Sequence, residues 1–190
     1  MHIETAQPAI ELSLPAWLVQ AGYAARTCAD DDARIALAIE LARRNVEAGS
    51  GGPFGAAVFD QDGRPVALGV NRVLPMTCSI AHAEIMALAG AQQALRRARL
   101  NQDGKRYVLA ASAQPCCQCY GAIVWAGLDG LLIGARGEDV EALTDFDEGP
   151  LPADWAGELQ RRGIAVRRDL RREEARAVLA EYMRRGGAHY

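Results

Sequence analysis

The chain has 190 residues, of which half are apolar and 24% charged, the balance of an ordinary globular protein with one core. It has no apolar run of about 18 residues and no basic start followed by an apolar stretch, so we expect neither a membrane span nor a secretion signal, and a cytoplasmic location. The net charge of −3 argues against a nucleic-acid-binding surface, which is usually basic.

The first part of the chain is uneven. Residues 1–29 contain apolar islands broken by prolines, and we expect a loosely packed arm with a short helix after Pro15. The main domain is predicted to cover residues 30–190. It opens with a long helix, because Asp30-Asp31-Asp32 supplies acidic N-cap residues and Gly49 ends the apolar pattern about four turns later.

Strands and helices alternate through the rest of the chain. A hairpin is predicted from Phe54–Asp60 and Val66–Val73, joined by a turn at Asp62-Gly63. Three further short apolar strands are predicted, at Tyr107–Ala111, Leu131–Ala135 and Ile164–Val166. Four helices are predicted, at Ile80–Arg99, from Pro115 through Trp125, at Asp154–Arg162 and at Arg172–Arg185. An opening hairpin followed by this alternation predicts an α/β fold, a three-layer αβα sandwich around a mixed sheet of about five strands.

Three soft metal ligands and one carboxylate lie in two short segments. His82 and Glu84 are two residues apart, and Cys116 and Cys119 form a Cys-x-x-Cys pair. Zinc binds imidazole and thiolate readily, and a catalytic zinc site uses three protein ligands and leaves the fourth position open to water. The two cysteines are one helical turn apart, so both sulfurs can face one ion, whereas Cys117 lies on another face. We therefore predict a zinc site formed by His82, Cys116 and Cys119.

The number of cysteines and the single Cys-x-x-Cys pair favour a catalytic zinc site over a structural one. Five cysteines is an odd number, and without a secretion signal this favours metal binding or catalysis over disulfides. A structural zinc usually has four protein ligands, often from two Cys-x-x-Cys pairs, whereas this chain has one such pair. Glu84 is not needed as a ligand and is predicted to transfer protons. A non-catalytic zinc protein remains the alternative to an enzyme.

The same two segments carry a resemblance to a known family. His82-Ala83-Glu84 followed by Pro115-Cys116-Cys117-Gln118-Cys119 resembles the H-x-E…P-C-x-x-C signature of the cytidine/deoxycytidylate deaminase superfamily. The likeness extends over roughly residues 30–190. Within the superfamily the chain looks most like the bacterial guanine deaminases. The residues that carry this second likeness are Gly52-Pro53-Phe54-Gly55-Ala56, Asn71-Arg72-Val73, Ala81-His82-Ala83-Glu84, Gly121-Ala122-Ile123-Val124-Trp125 and Phe146-Asp147-Glu148-Gly149-Pro150.

This resemblance implies a cytidine deaminase-like fold, one zinc ion per subunit and the hydrolytic deamination of a free aminated base. Guanine going to xanthine and ammonia is the first expectation. Glu148 would be a second proton carrier beside Glu84. The resemblance also implies a homodimer whose C-terminal segments can be exchanged, so that Tyr190 would cap its own or a neighbouring site.

The resemblance further implies which residues contact the substrate. Phe54 would pack on the ring, Asn71 would hydrogen-bond the base and Trp125 would help to close the pocket. The full set of expected substrate-binding residues is Phe54, Asn71, Ala81, Trp125, Asp147 and Tyr190. Carboxylates suit guanine, whose N1–H and 2-amino groups are donors, better than the acceptor-rich edge of cytosine. We therefore rank a purine first.

Two departures from the family pattern leave other substrates open. The chain reads Leu143-Thr144-Asp145 before the acidic segment, and Cys117 and Gln118 stand where the family more often has an apolar pair. Neither change affects the zinc ligands, but both can alter which ring is accepted. The alternatives are a triazine such as ammeline, isocytosine or cytosine. A tRNA adenosine deaminase is a further rival, which would need a cationic surface for phosphates.

Overall fold

The computed structural model describes residues 10–189 and contains the five predicted strands. They are β1 (Gly55–Asp60), β2 (Pro65–Val70), β3 (Tyr107–Ala113), β4 (Gly130–Ala135) and β5 (Ala165–Arg167). β1 runs antiparallel to both β2 and β3, whereas β3, β4 and β5 are parallel, and the order across the sheet is β2-β1-β3-β4-β5. The predicted mixed sheet is therefore confirmed.

Helices cover both faces of this sheet. Within the described residues they are α1 (Ala16–Gln20), α2 (Asp31–Glu47), α3 (Val73–Met76), α4 (Ala83–Leu95), α5 (Cys117–Ala126), α6 (Gly137–Leu143), α7 (Trp155–Arg161) and α8 (Arg172–Arg184), with 3-10 turns at Tyr23–Ala25 and Leu100–Asp103. None of these helices is both long and apolar enough to cross a bilayer.

The alternation of side chains along β1 separates two apolar cores. Ala57 and Phe59 belong to the core that includes the buried side chains of α2 and α8. Ala56 and Val58 belong to the core that includes those of α4 and α5. Successive strand residues point to opposite faces of a sheet, so one strand supplies both cores. The three-layer αβα sandwich predicted from the sequence is confirmed.

Several boundaries differ from the prediction. The strand expected to reach Val73 ends at Val70, and Val73 starts α3 instead. The helix expected to start at Ile80 starts at Ala83. The helix expected to reach Arg99 ends at Leu95, because Arg96 adopts a left-handed conformation with φ 52°. Arg97 therefore lies beyond α4, where it pairs with Asp103 at 2.7 Å. The expectation that Pro115 begins α5 was also wrong, since the helix starts at Cys117 with Cys116 as its N-cap.

The described part of the N-terminal arm packs on the domain more closely than expected. The predicted helix after Pro15 is present as α1. Leu18, Tyr23 and Cys28 are buried and belong to the core that contains α2. The Tyr23 hydroxyl donates to Glu40 at 2.9 Å, so the arm is attached to α2 by a polar contact as well as by apolar packing.

A close approach at Gly69 sets the position of α4 on the sheet. A Cβ atom at Gly69 would lie 2.0 Å from the Ala83 carbonyl oxygen and 2.6 Å from the Ala87 nitrogen. Only a residue without a side chain allows the backbone of α4 to pack so closely against β2. The first turn of α4, which follows His82 and contains Glu84, is thereby held next to the end of β2.

A buried carboxylate connects α6 to α8. The side chain of Asp139 is 2% exposed. It accepts two hydrogen bonds from Arg172 at 2.7 Å each, another from Arg176 and one from the Arg136 backbone N–H at 2.8 Å. These hydrogen bonds hold the pKa of Asp139 well below its usual range, and those from Arg172 contribute most.

We predict that Asp139→Asn lowers the free energy of unfolding at neutral pH by about 2 kcal/mol, because two arginines lose a buried partner. A urea titration followed by circular dichroism would measure the change. Because the pKa of Asp139 is lowered in the folded state, its stabilisation is present above the pKa of an unfolded aspartate, about 3.9, and is lost as the pH falls through the folded value. The control is Glu173→Gln, which removes an 87% exposed partner of Arg176 and should cost less than about 0.5 kcal/mol. Equal losses in both variants would contradict the prediction.

Candidate metal centre and active site

The three predicted zinc ligands come from the starts of two neighbouring helices. His82 is the N-cap of α4, Cys116 is the N-cap of α5, and Cys119 lies in the first turn of α5. The free N–H groups and the dipole at a helix N-terminus stabilise negative charge and therefore favour thiolates. The two helix starts therefore bring one imidazole and two thiols to the same place in a setting that favours metal binding.

The geometry of this cluster fits a zinc ion. The Nδ1 atom of His82 lies 3.4 Å from Sγ of Cys116 and 3.6 Å from Sγ of Cys119, and the three ligand atoms all lie within 4.8 Å of one another. Zinc–sulfur and zinc–nitrogen bonds at a tetrahedral angle require an S···N separation of about 3.5 Å. The three side chains are therefore positioned to hold one metal ion.

Cys117 does not join this cluster. Its side chain is exposed, as expected for a residue on another face of the helix. Its backbone N–H donates to the Glu148 carbonyl oxygen at 2.9 Å, which joins the start of α5 to the loop after α6. The predicted division between Cys116 and Cys119 on one side and Cys117 on the other is thus present in the structure.

The pKa values of the two ligand thiols are shifted in opposite directions. A hydrogen bond from Cys119, aided by one with His82, lowers the pKa of the Cys116 thiol to about 4 in spite of its burial. The same hydrogen bond, together with burial, raises the pKa of Cys119. This arrangement favours a thiolate at Cys116, and a zinc ion would replace the proton of the Cys119 thiol.

A cavity of about 220 Å³ opens beside the ligands. The predicted site residues that line it are Phe54, Asn71, His82, Glu84, Cys116, Asp147 and Glu148. The rings of Phe54 and Phe146, 5.5 Å apart between centroids, form an apolar wall on which a flat ring can pack. The structure thus brings most of the expected substrate and catalytic residues to one place.

Asn71 presents one polar group to this cavity. It follows β2 and is 1% exposed. Its Oδ1 atom accepts hydrogen bonds from the backbone N–H groups of Val73 at 3.2 Å and Gly52 at 3.4 Å. Among the described residues the Asn71 NH₂ group has no acceptor. Asn71 can therefore act as a hydrogen-bond donor to a bound molecule.

Two carboxyl groups face the same cavity and both bind protons more tightly than usual. Burial, with the negative charge of Cys116, raises the pKa of Glu84 to about 7. Burial and the charges of Cys116 and Glu84 raise the pKa of Glu148 to about 9. No described residue donates a hydrogen bond to the Glu148 carboxyl group. At neutral pH Glu148 is thus mostly protonated, whereas Glu84 can both accept and donate a proton.

Two of the other expected substrate residues, Ala81 and Trp125, do not line this cavity. Ala81 is fully buried and its carbonyl oxygen accepts from the Arg72 N–H at 2.8 Å, but it does not line the cavity. Trp125 is 76% exposed on α5 and does not line the cavity of its own chain. Asp147 lies at the cavity and its Oδ1 atom accepts from the Gly149 N–H at 2.8 Å. Tyr190 lies outside the described residues.

Several lining residues were not expected from the sequence. They are Val73, Ser79, Ala83, Gln114 and Phe146. Gln114 directly follows β3 and directly precedes Pro115. A polar residue at a strand end next to the cysteine motif could therefore have been predicted to line the cavity. Ser79 lies in the turn before His82, and nothing in its local sequence distinguishes it from other turn serines.

We predict that Cys119→Ser abolishes stable zinc binding, because two ligands remain, whereas Cys117→Ser retains about one zinc ion per chain. Elemental analysis after dialysis would measure the bound metal. Cys117 is a matched control, since it lies in the same helix turn and is exposed. Loss of zinc from both variants would contradict the ligand assignment.

Comparison with known proteins agrees with this geometry. Residues 29–135 match the cytidine and deoxycytidylate deaminase zinc-binding region. The chain is 37% identical over 111 residues to a guanine deaminase from Bacillus subtilis, a match that covers 58% of this chain and 67% of that protein. It is also 26% identical over 132 residues to a tRNA-specific adenosine deaminase from Buchnera aphidicola, covering 70% of this chain and 80% of that protein.

Solved structures are similar over almost the whole chain. A guanine deaminase from Nitrosomonas europaea superposes with a TM-score of 0.86 at 45% identity, covering 92% of this chain and 96% of that chain. NE0047 in complex with 2,6-diaminopurine superposes with a TM-score of 0.89 at 46% identity and covers 96% of each chain. The match to the zinc-binding region includes all three ligands and Glu84, and this chain belongs to the cytidine and deoxycytidylate deaminase family of zinc-binding enzymes.

Proposed function

We propose that this protein is a guanine deaminase, which hydrolyses guanine to xanthine and ammonia with one zinc ion per chain. The observation that carries the proposal is that two zinc ligands, His82 and Cys116, share a single cavity with two proton-carrying groups, Glu84 and Glu148. The similar structures include NE0047 in complex with 2,6-diaminopurine and a mutant of NE0047 in complex with 8-azaguanine. 8-Azaguanine keeps the N1–H, 6-oxo and 2-amino groups of guanine, and 2,6-diaminopurine keeps its bicyclic ring and 2-amino group.

Glu84 performs the first proton transfer. When bound, zinc lowers the pKa of a coordinated water from about 15.7 toward 7. Glu84 removes the proton of the attacking water and delivers it to the ring nitrogen next to the amine-bearing carbon. Burial raises its pKa to about 7 in the metal-free site, and a buried carboxyl group of this kind binds and returns a proton more readily at neutral pH than an exposed one.

Glu148 assists departure of the amine. With a pKa of about 9, its carboxyl group carries a proton at neutral pH and can deliver it to the leaving nitrogen. The carbon–nitrogen bond then breaks, ammonia leaves and a carbonyl group remains on the ring. The water supplies the new oxygen, and its second proton, left on the new hydroxyl group, replaces the proton that Glu148 gave up as the carbonyl forms, so atoms and charge balance.

The same cavity supports recognition of a flat base. The Asn71 NH₂ group donates to an acceptor on the ring, and Phe54 packs on the ring face. The carboxyl groups of Asp147 and Glu148 suit donor groups such as the N1–H of guanine. A smaller aminated ring, such as a triazine, isocytosine or cytosine, would also fit these contacts and is the second candidate. The Thr144-Asp145 segment lies just before this acidic loop and is the part of the chain that would alter the choice.

The charges of the described surface favour a free base over tRNA. Arg161 and Arg162 pair with Glu158, and Arg184 and Arg185 pair with Glu181. The remaining arginine pairs in this region are similarly occupied: Arg167 contacts Asp31, Arg171 contacts Asp32, Arg172 contacts Asp139, and Arg168 lies over the Trp155 ring. Arginines already engaged by carboxylates make a poor track for phosphates. Nucleic acid is therefore not part of the proposed function.

We further propose a homodimer that forms through α5. The helix contains no charged residue, yet Trp125 is 76% exposed, and the nearby Ile80 is 48% exposed. Gln118, on the same helix, donates to the Ile80 carbonyl oxygen at 3.5 Å, which joins the two segments into one surface. An uncharged surface with an exposed tryptophan is typical of a protein–protein contact. A second copy of the chain would cover it.

The C-terminal tail is the segment that two chains of the proposed dimer would exchange. Through residue 189 the tail lies on its own chain, where His189 contacts Asp145 at 2.9 Å. In a dimer with exchanged C-terminal segments, the same contact would form between chains, with Tyr190 next to the neighbouring cavity.

Zinc-binding thiols need a reducing compartment, which supports a cytoplasmic location.

We predict that the zinc-loaded protein releases ammonia from guanine and converts it to xanthine. The measurement is ammonia release from guanine, guanosine, ammeline, isocytosine, cytosine, adenine and a tRNA anticodon stem. Turnover of cytosine or a triazine with guanine inert would refute the guanine assignment but not the zinc deaminase. The control is Glu84→Gln, which should keep its zinc while turnover falls by about 10² to 10⁴ or more, because the proton carrier is lost.

We predict that Trp125→Ser converts a dimer to a monomer, because it removes the largest exposed apolar side chain of α5. Analytical ultracentrifugation would measure the mass, and zinc content should stay unchanged. Val19→Ser is the control, since Val19 is 73% exposed but lies on α1. A wild-type monomer, or a Trp125→Ser protein that remains a dimer, would refute the proposed interface.

A further inference from the structure

A buried amide in the last turn of α2 is not used by the zinc chemistry. Asn45 is 0% exposed, and burying a carboxamide is costly unless its donors and acceptor are satisfied. Its Nδ2 atom donates to the carbonyl oxygens of Gly52 at 2.8 Å and Asn71 at 3.0 Å. Its Oδ1 atom accepts from the Ser50 hydroxyl at 2.7 Å. Every polar group of the side chain is therefore engaged.

These hydrogen bonds form a closed frame around Asn71. Asn45 holds the Asn71 carbonyl oxygen and the Gly52 carbonyl oxygen. The Gly52 N–H in turn donates to Oδ1 of Asn71 at 3.4 Å, as does the Val73 N–H at 3.2 Å. The backbone and the amide oxygen of Asn71 are thus fixed by separate donors, and the direction of its NH₂ group is set.

The frame leaves no space for a different loop conformation. A Cβ atom at Gly51 would lie 1.9 Å from the Asn71 carbonyl oxygen and 2.8 Å from Nδ2 of Asn45, and Gly51 has φ 157°. A side chain at this position would push the loop away from Asn71. Asn45, Gly51 and Asn71 therefore have to fit together as one unit.

The N-terminal arm completes the same frame. The indole N–H of Trp17 in α1 donates to the Ser50 hydroxyl at 3.0 Å, and that hydroxyl donates to Asn45. The guanidinium group of Arg72, the residue after Asn71, donates to the backbone carbonyl oxygens of Ser50 and of Ser13 at 3.3 Å. A continuous chain of hydrogen bonds thus runs from the arm to the residue that lines the cavity.

We propose that Asn45 is a positioning residue of the substrate pocket, which aims the Asn71 NH₂ group at the base, and that Trp17 supports it through Ser50. The proposal rests on the proposed function, because it takes Asn71 to be a substrate donor. Asn45 itself does not line the cavity and acts only through Asn71. Its loss weakens substrate binding, whereas the zinc site and the proton carriers stay in place.

A double-mutant cycle separates this role from a merely structural one. The four proteins are the wild type, Asn45→Ala, Asn71→Ala and the double variant, each assayed for kcat and KM with guanine. We expect Asn45→Ala to raise KM about tenfold with kcat within about threefold, as for the loss of a hydrogen bond made equally in ground and transition states. In the Asn71→Ala background the same change should alter KM by less than about twofold, because the group it positions is gone.

A milder variant and a matched control accompany the cycle. Trp17→Phe removes only the indole donor and should raise KM by a smaller factor, again only when Asn71 is present. Asn101→Ala is the control, since the Asn101 carboxamide donates to Asp129 at 3.3 Å and does not line the cavity; its KM should equal that of the wild type. Equal KM increases from Asn45→Ala in both backgrounds would overturn the proposal, as would a fall in kcat with KM unchanged.

Amide hydrogen exchange tests the positioning without any substrate. The N–H groups of Gly52 and Val73, which bond Oδ1 of Asn71, should exchange faster in Asn45→Ala than in wild type or Asn101→Ala, whereas α8 should not change. Unchanged exchange at both sites would overturn the proposal. If the wild type deaminates no ring in the panel, the proposed function fails, and the exchange rates alone decide the role of Asn45.

Discussion

The site depends on two helices that start at the same point above the sheet. A zinc ion needs three ligand atoms within a few ångströms of one another, yet His82 and the two cysteines come from different parts of the chain. Packing of α4 and α5 on one face of the sheet brings these three ligands together. The backbone of α4 lies directly against β2 at Gly69. Because both helices present their N-termini, their unpaired N–H groups also favour the negative charge of the thiolates.

The role of each buried carboxyl group depends on how deeply the group is buried and on which side chains contact it. Asp139 has little exposed surface, but two arginines keep it ionised and it joins α6 to α8. Glu84 and Glu148 have no arginine beside them, and burial next to a thiolate raises their pKa values to about 7 and about 9. The same residue type therefore stabilises the fold in one place and carries protons in the other. The difference lies in how strongly burial acts on the group and in which charges surround it.

The polar frame around Asn71 shows how a distant element contributes to a binding site. Asn45 lies on α2, on the opposite side of the sheet from α4 and α5, and Trp17 lies on α1. Their hydrogen bonds reach the cavity through one short loop rather than by direct contact. A rigid support of this kind is what a pocket needs when one amide group has to meet one atom of a small ring.

The candidate zinc ligands, the family and the order of the five strands could be predicted from the sequence. These rest on local patterns: a Cys-x-x-Cys pair places two sulfurs on one side of a helix, and alternating apolar residues identify strands. The end of α4 at Leu95 depended instead on Arg96 adopting a left-handed conformation, which no local pattern predicted. The places of Gln114 at the cavity and of Trp125 on the surface, and the direction of the Asn71 amide, were decided only by the tertiary structure. Each of these depends on contacts between residues far apart in the chain, which residue spacing does not specify.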